Sequence, residues 1–96
     1  MKMAKIDTVV VIGLGVMGKN LALNILDKKF RVIGYDIDQT KKIEISHSQY
    51  NSIKELEDLK SYNQTPVAVF LMLPADKYQT IIYRLSFRYY ILKVLS

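Results

Sequence analysis

A run of β-branched residues that breaks into glycine and then turns helical leaves few choices for the first third of this chain. Thr8 to Ile12 reads TVVVI, and Gly13-Leu-Gly-Val-Met-Gly18 follows at once. The first run is short and continuously apolar, which suits a strand buried on both faces of a parallel sheet. Beyond the glycines the period changes. Met17, Leu21 and Ile25, together with Ala22 and Leu26, recur at helical spacing. The helix should fade near Asp27-Lys28-Lys29, where two lysines suit the negative end of its dipole. Arg31 to Tyr35 (RVIGY) reads as the next strand, with Asp36 at its C-terminal end.

The same alternation continues. Asp38 can cap a short helix over Gln39 to Ser46, although Ile43 and Ile45 are its only apolar content. A very short strand fits Tyr50-Asn51. Ser52-Ile-Lys-Glu55 has the form of a capping box, predicting a helix from Ile53 to about Lys60 with Ile53, Leu56 and Leu59 on one side. Pro66 opens VAVFLML (Val67 to Leu73), another buried strand, which Pro74 ends. Ala75 and Asp76 lead into a helix through about Leu85. Residues 86–96 can be a further strand, a helix extension or an unsupported tail. Strands alternating with helices across short loops define an α/β protein, a parallel sheet wrapped by helices. Right-handed crossovers put the second strand on one side of the first and the Val67–Leu73 strand on the other.

The glycines point to chemistry. Gly13 allows a tight turn out of the strand. Gly15 has no Cβ, so a pyrophosphate can approach the backbone, and Gly18 lets the helix pack closely. The amides of Val16 and Met17 lie near the helix N-terminus, where N–H groups and dipole favour an anion. Asp36 lies 18 positions after Gly18, close to the spacing of about 20 at which a carboxylate accepts a ribose 2′-hydroxyl. G-x-G-x-x-G alone is a weak signal, but a preceding strand, an opening helix and a following strand that ends in an acid supply its context. The expected ligand is a dinucleotide coenzyme. A 2′-phosphate would meet the charge of Asp36, so NAD is expected over NADP, with Lys41 and Lys42 as the groups that could still reach a phosphate.

GLGVMGKNLALNI (Gly13 to Ile25) resembles the first helix region of 6-phosphogluconate dehydrogenase, including the Asn20-Leu-x-Leu-Asn24 continuation. Ser52-Ile-Lys-Glu-Leu56 is similar to the segment before that family's next helix. Phe70-Leu-Met-Leu-Pro-Ala-Asp76 resembles the strand whose end lies against the coenzyme. The resemblance covers about residues 6–85. It implies a Rossmann-like doubly wound parallel sheet, incomplete here, with residues 1–85 as a partial NAD(P)-binding domain and 86–96 as a divergent tail. It further implies oxidative decarboxylation of 6-phosphogluconate to ribulose 5-phosphate, in the pentose phosphate pathway. Gly13, Leu14, Gly15, Val16, Met17 and Gly18 carry over as the phosphate-binding turn, Asp36 as the ribose reader, and Leu73, Pro74 and Ala75 as the strand end lining the coenzyme. Many NADP-using members have Asn-Arg-Thr where this chain has Asp36-Ile37-Asp38, so the phosphate-holding arginine is Ile37 here. The family's Asp-Gly-Gly-Asn-Ser loop, catalytic lysine and glutamate have no counterpart in these 96 residues. No catalytic residue is therefore assigned, and coenzyme binding without turnover is expected. Two alternatives stand: a piece of a 3-hydroxyisobutyrate-type dehydrogenase, or a non-catalytic nucleotide-binding or interaction protein.

Composition sets outer bounds. The chain is long enough for one small domain. With no cysteine it has no disulfide, thiolate metal site or cysteine nucleophile. His47 alone cannot build a metal site. The net charge of +5 reads as a solvated lysine face, since the basic residues are spread rather than striped with aromatics, and no nucleic-acid partner is expected. No apolar stretch has the length of a membrane span or a signal core, and a soluble, cytoplasmic protein is expected. A sheet that lacks its last strands should expose an edge and invite association.

Overall fold

The computed structural model describes residues 6–41, 47–62, 67–77, 81 and 90–93. Five parallel strands form one sheet in the order β3-β2-β1-β4-β5. They are β1 (Thr8–Ile12), β2 (Arg31–Tyr35), β3 (Tyr50–Ser52), β4 (Val67–Leu71) and β5 (Tyr90–Lys93). As the crossover argument requires, β1 lies between β2 and β4. Thr8 is in register with Arg31 on one side and Val67 on the other, and Ile12 with Tyr35 and Leu71. All five residues of β1 are buried, the pattern of a central parallel strand covered on both faces.

Two apolar layers account for that burial. On one face α1 (Val16–Asp27) lays Ala22 and Leu26 over Val9, Val11, Val32 and Tyr50. On the other, Val10, Ile12, Ile33, Tyr35, Val69 and Leu71 pack with Leu56, Leu59 and Ile81. Each fully buried valine, leucine or isoleucine contributes about 1.5–3 kcal/mol relative to exposure. The helix ends where the two lysines predicted. Lys28 closes it and Lys29 takes a φ of 68°, its amide donating to the Leu26 carbonyl at 2.9 Å.

The later crossovers differ from expectation. Asp38 does cap, accepting from the Thr40 amide at 3.0 Å and the Thr40 hydroxyl at 2.6 Å. What it caps is a 3-10 turn, Gln39–Lys41, and the rest of the predicted Gln39–Ser46 helix lies outside the described residues. The predicted Ile53–Lys60 α-helix is a 3-10 helix, Leu56–Tyr62. Its late start has a cause. Ser52 is the last residue of β3, and the Ile53 amide still donates to the Gly34 carbonyl at 3.0 Å. The chain is held to the sheet where the capping box would have begun a helix. The Asp58 carboxylate instead accepts from the Glu55 amide at 3.2 Å. The strand expected over Val67–Leu73 stops at Leu71, and a 3-10 turn, Ala75–Lys77, opens the next crossover. Of that crossover's predicted helix only Ile81 is otherwise described. Within the tail, Tyr90–Lys93 pairs with β4, Ala68 opposite Tyr90. The outer edge of β4 is thus occupied by a strand of the chain itself, one of the readings open for residues 86–96. No helix among the described residues is long and apolar enough to cross a membrane.

Gly34 and Tyr50 explain each other. A Cβ on Gly34 would run into the Tyr50 ring and hydroxyl, so β2 carries glycine where β3 lays its aromatic side chain across. The Tyr50 hydroxyl is buried and has no hydrogen-bond partner among the described residues, and burial pushes its pKa up to about 12. An unpartnered buried hydroxyl is destabilising, so Tyr50→Phe should stabilise the fold by about 1 kcal/mol in chemical denaturation. The unfolded tyrosine ionises near pH 10 and the folded one does not, so the unfolded state sheds the proton first. Stability should therefore fall between about pH 10 and pH 12, and this tyrosine's share of the slope should vanish in Tyr50→Phe.

Candidate functional site

The C-terminal ends of β1, β2 and β4 meet at the glycine turn. Gly13 leaves β1 with φ at 101°, the left-handed region that disfavours any side chain. Its amide donates to the Tyr35 carbonyl at 2.8 Å, continuing the β1–β2 ladder past the strand ends. A Cβ there would strike the Met72 carbonyl and lie 3.1 Å from Leu73 Cδ2. Gly18, in the first turn of α1, faces the Gly13 carbonyl, and no Cβ fits between them. Gly18 is therefore needed for the helix to sit on the turn itself, with Met72 beyond it.

Gly15 behaves differently from both. A Cβ on it would meet no atom of the described residues within 4 Å, so packing among them does not explain a glycine here. It is the N-cap of α1 and offers no side-chain bond to the first-turn amides, and no acidic residue occupies that turn. The amides of a helix's first turn have no partner within the helix. Val16 and Met17 follow with exposures of 80% and 55%. This end of the helix presents N–H groups, a positive dipole end and bare backbone to one open space, and it can hold an anion.

Asp36 stands at the mouth of the same turn. One carboxylate oxygen accepts from the Leu14 amide at 2.7 Å and the other from the Asp38 amide at 2.8 Å. The Gln39 side-chain amide donates to the Asp36 carbonyl at 2.9 Å. A small cleft of about 10 Å³ lies between Leu14, Gly34, Asp36, Asp38 and Gln39 on one side and Ser52 and Ile53 on the other. Beside it is a wider, open depression of about 310 Å³ lined by Tyr35, Ile37, Gln39, Lys54 and Glu55. The Thr40 hydroxyl and amide hold the Asp38 carboxyl below the usual range, and Lys41 adds to the effect. Lys42 lies outside the described residues.

The expected residues are therefore not all alike. Gly13, Leu14, Gly15, Val16, Met17, Gly18 and Asp36 come together, but the Leu14 side chain is buried in the core under α1 and its amide is engaged by Asp36. Leu73 abuts Gly13. Pro74 is exposed and its carbonyl accepts from the Lys77 amide at 2.9 Å, in the turn that Ala75 opens. Met72 was not anticipated, although its backbone sets the shape of the turn. Register accounts for it. Ile12 pairs with Leu71, so the next residue of each strand must meet. Ser52 and Ile53 enter the cleft in the same way, through the pairing of Gly34 with Ser52. His47 is exposed and its Nδ1 accepts from the Gln49 amide at 3.0 Å, which is turn structure.

Residues 8–85 match the family model described as the NAD binding domain of 6-phosphogluconate dehydrogenase. Over 76 residues, 74% of this chain, the sequence is 38% identical to the decarboxylating 6-phosphogluconate dehydrogenase of Bacillus licheniformis. It is 36% identical over 75 residues to the NAD(+)-dependent, decarboxylating 6-phosphogluconate dehydrogenase of Bacillus subtilis (strain 168). In each case the match spans 16% of the relative's length. With a parallel sheet in the order β3-β2-β1-β4-β5, a glycine turn opening α1 and an acid closing β2, the chain belongs to the 6-phosphogluconate dehydrogenase family, as its NAD-binding domain.

Proposed function

We propose that this chain binds NAD in preference to NADP and is the coenzyme-holding portion of a decarboxylating dehydrogenase acting on 6-phosphogluconate, in the pentose phosphate pathway and in the cytoplasm. One observation carries the reading. Among the described residues no atom occupies the space above Gly15, and the uncapped first turn of α1 faces it. Val16 and Met17 would donate backbone N–H bonds to the pyrophosphate. Asp36 would accept from the adenosine ribose, since each of its oxygens can take a second hydrogen bond. The depression beside Ile37, which is 58% exposed, would take the adenine against an apolar surface. Leu73, with Pro74 and Ala75 after it, would line the coenzyme on the β4 side. The coenzyme, when bound, would supply a hydride acceptor. The contribution of this chain is to fix the coenzyme's position. The lysine and glutamate that the family resemblance calls for lie beyond its motifs, so this chain alone should bind coenzyme without turnover.

Charge supports the coenzyme preference. A 2′-phosphate would arrive beside Asp36 and Asp38, both acids, with Ile37 between them and no guanidinium beside them among the described residues. Titration of the amide NMR fingerprint should show shifts at Gly13–Gly18 and Asp36 with NAD, and NADP should bind at least about tenfold more weakly. The double variant Asp36→Asn, Ile37→Arg removes one like charge and adds a bidentate donor. It should favour NADP by about 2 kcal/mol relative to the parent, a roughly thirtyfold swing in the ratio of dissociation constants. An unchanged ratio would remove Asp36 and Ile37 from the specificity assignment. Equal and featureless spectra with both coenzymes would remove the site.

A further inference from the structure

Asp36 is placed to do something in the absence of coenzyme. Its two carboxylate oxygens are bonded to amides on two different loops, Leu14 in the β1–α1 turn and Asp38 after β2, at 2.7 and 2.8 Å. The first of these bonds spans 22 positions of sequence. It lies one residue beyond the bond from the Gly13 amide to the Tyr35 carbonyl. The β1–β2 ladder, whose last strand pair is Ile12 with Tyr35, thus runs on for one more backbone bond and then for one side-chain bond. A charge-assisted bond of this length is among the stronger kinds. It acts on a turn whose next residue, Gly15, has open space around it and whose following amides are those of the anion site.

We propose that Asp36 is a positioning residue: it clamps the glycine turn in its anion-binding shape before the coenzyme arrives, in addition to reading the ribose. The Leu14 amide is then part of the clamp and is not a phosphate donor, which leaves that task to Val16 and Met17. Coenzyme specificity and turn order are consequently joined in one carboxylate. A substitution made to admit a 2′-phosphate also loosens the pyrophosphate site. Preorganisation of this kind strengthens binding by lowering what must be ordered on association. The clamp itself stands without the NAD reading, whereas its effect on ligand affinity rests on it.

The test compares the full chain with Asp36→Ala by amide hydrogen exchange without ligand. Exchange at Leu14 and Asp38 should accelerate at least about tenfold, while Val10, buried in β1, keeps its protection. Unchanged exchange at Leu14 with Val10 protected overturns the clamp. If Asp36→Ala loses protection at Val10 as well, Asp36→Asn gives the same comparison in a side chain of equal size. With one acceptor oxygen left it should release one of the two amides, and retention of both overturns the proposal. A second arm titrates inorganic pyrophosphate and follows the Val16 and Met17 amides. A carboxylate that only reads ribose repels this ion, so its removal would leave affinity unchanged or raise it. A clamp predicts the opposite sign, a severalfold loss. Failure of pyrophosphate to bind either protein would sink the coenzyme reading, and the exchange result at Leu14 would still decide the clamp.

Discussion

Gly15→Val should abolish detectable coenzyme binding and leave the fold intact. Gly15 has φ −68° and ψ −168°, extended backbone open to residues with a side chain. Its missing Cβ points at no atom of the described residues within 4 Å, so valine meets no packing there. The same branched side chain occupies the volume that a pyrophosphate needs above the first turn of α1. Displacing the phosphates removes bonds to the Val16 and Met17 amides together, and a loss of about 3 kcal/mol, more than a hundredfold in dissociation constant, is expected. The check is a titration with NAD beside a thermal melt. A weakened ligand with an unshifted Tm is the expected pair of results. Wild-type affinity in Gly15→Val would mean that the phosphates do not pass over this residue.

Gly13→Ala should do the reverse and strike the fold first. Alanine at φ 101° is strained by about 1–3 kcal/mol. Its Cβ would also press on the Met72 backbone, which is fixed by the donation of the Met72 amide to the Ile12 carbonyl at 2.7 Å. The Met72 atoms are backbone and not the far end of a flexible side chain, so relief requires the β1 and β4 ends to move apart. The combined penalty should reach about 3–5 kcal/mol, a large share of the 5–15 kcal/mol that holds a small domain together. A fall in Tm of roughly 15 °C or more is expected. Gly18→Ala should follow the same course through overlap with the Gly13 carbonyl alone. Melts of Gly13→Ala and Gly18→Ala that match the parent would show that the turn is not built around these contacts. Three glycines of one motif are therefore expected to separate cleanly, two by folding and one by binding.

What could be read along the chain is what depends on near neighbours. TVVVI specified a central parallel strand because unbroken β-branched residues suit burial on two faces. The change of period after Gly18 specified α1, and the strand that follows specified a right-handed crossover. Asp36 was found by its distance from the glycines, which the length of one helix and one strand sets. Each of these features closes within about thirty residues and needs no distant partner.

The rest was decided by pairing across the sheet. Ser52 and Glu55 have the form of a helix cap, yet the Gly34 carbonyl holds the Ile53 amide and the turn begins later as a 3-10 helix. Tyr90–Lys93 could be read as strand, helix or tail. It becomes a strand beside Ala68–Leu71, where the edge of β4 offers backbone groups that require partners. Met72 shapes the glycine turn only because Leu71 stands opposite Ile12. The bond from Leu14 to Asp36 exists only because β1 and β2 end level with each other. The sequence by itself determined the first β-α-β unit and the chemical types at its mouth, since these follow from local period and spacing. Tertiary structure alone decided which backbone groups meet there, because strand register, set by the whole sheet, brings together residues that no local pattern connects.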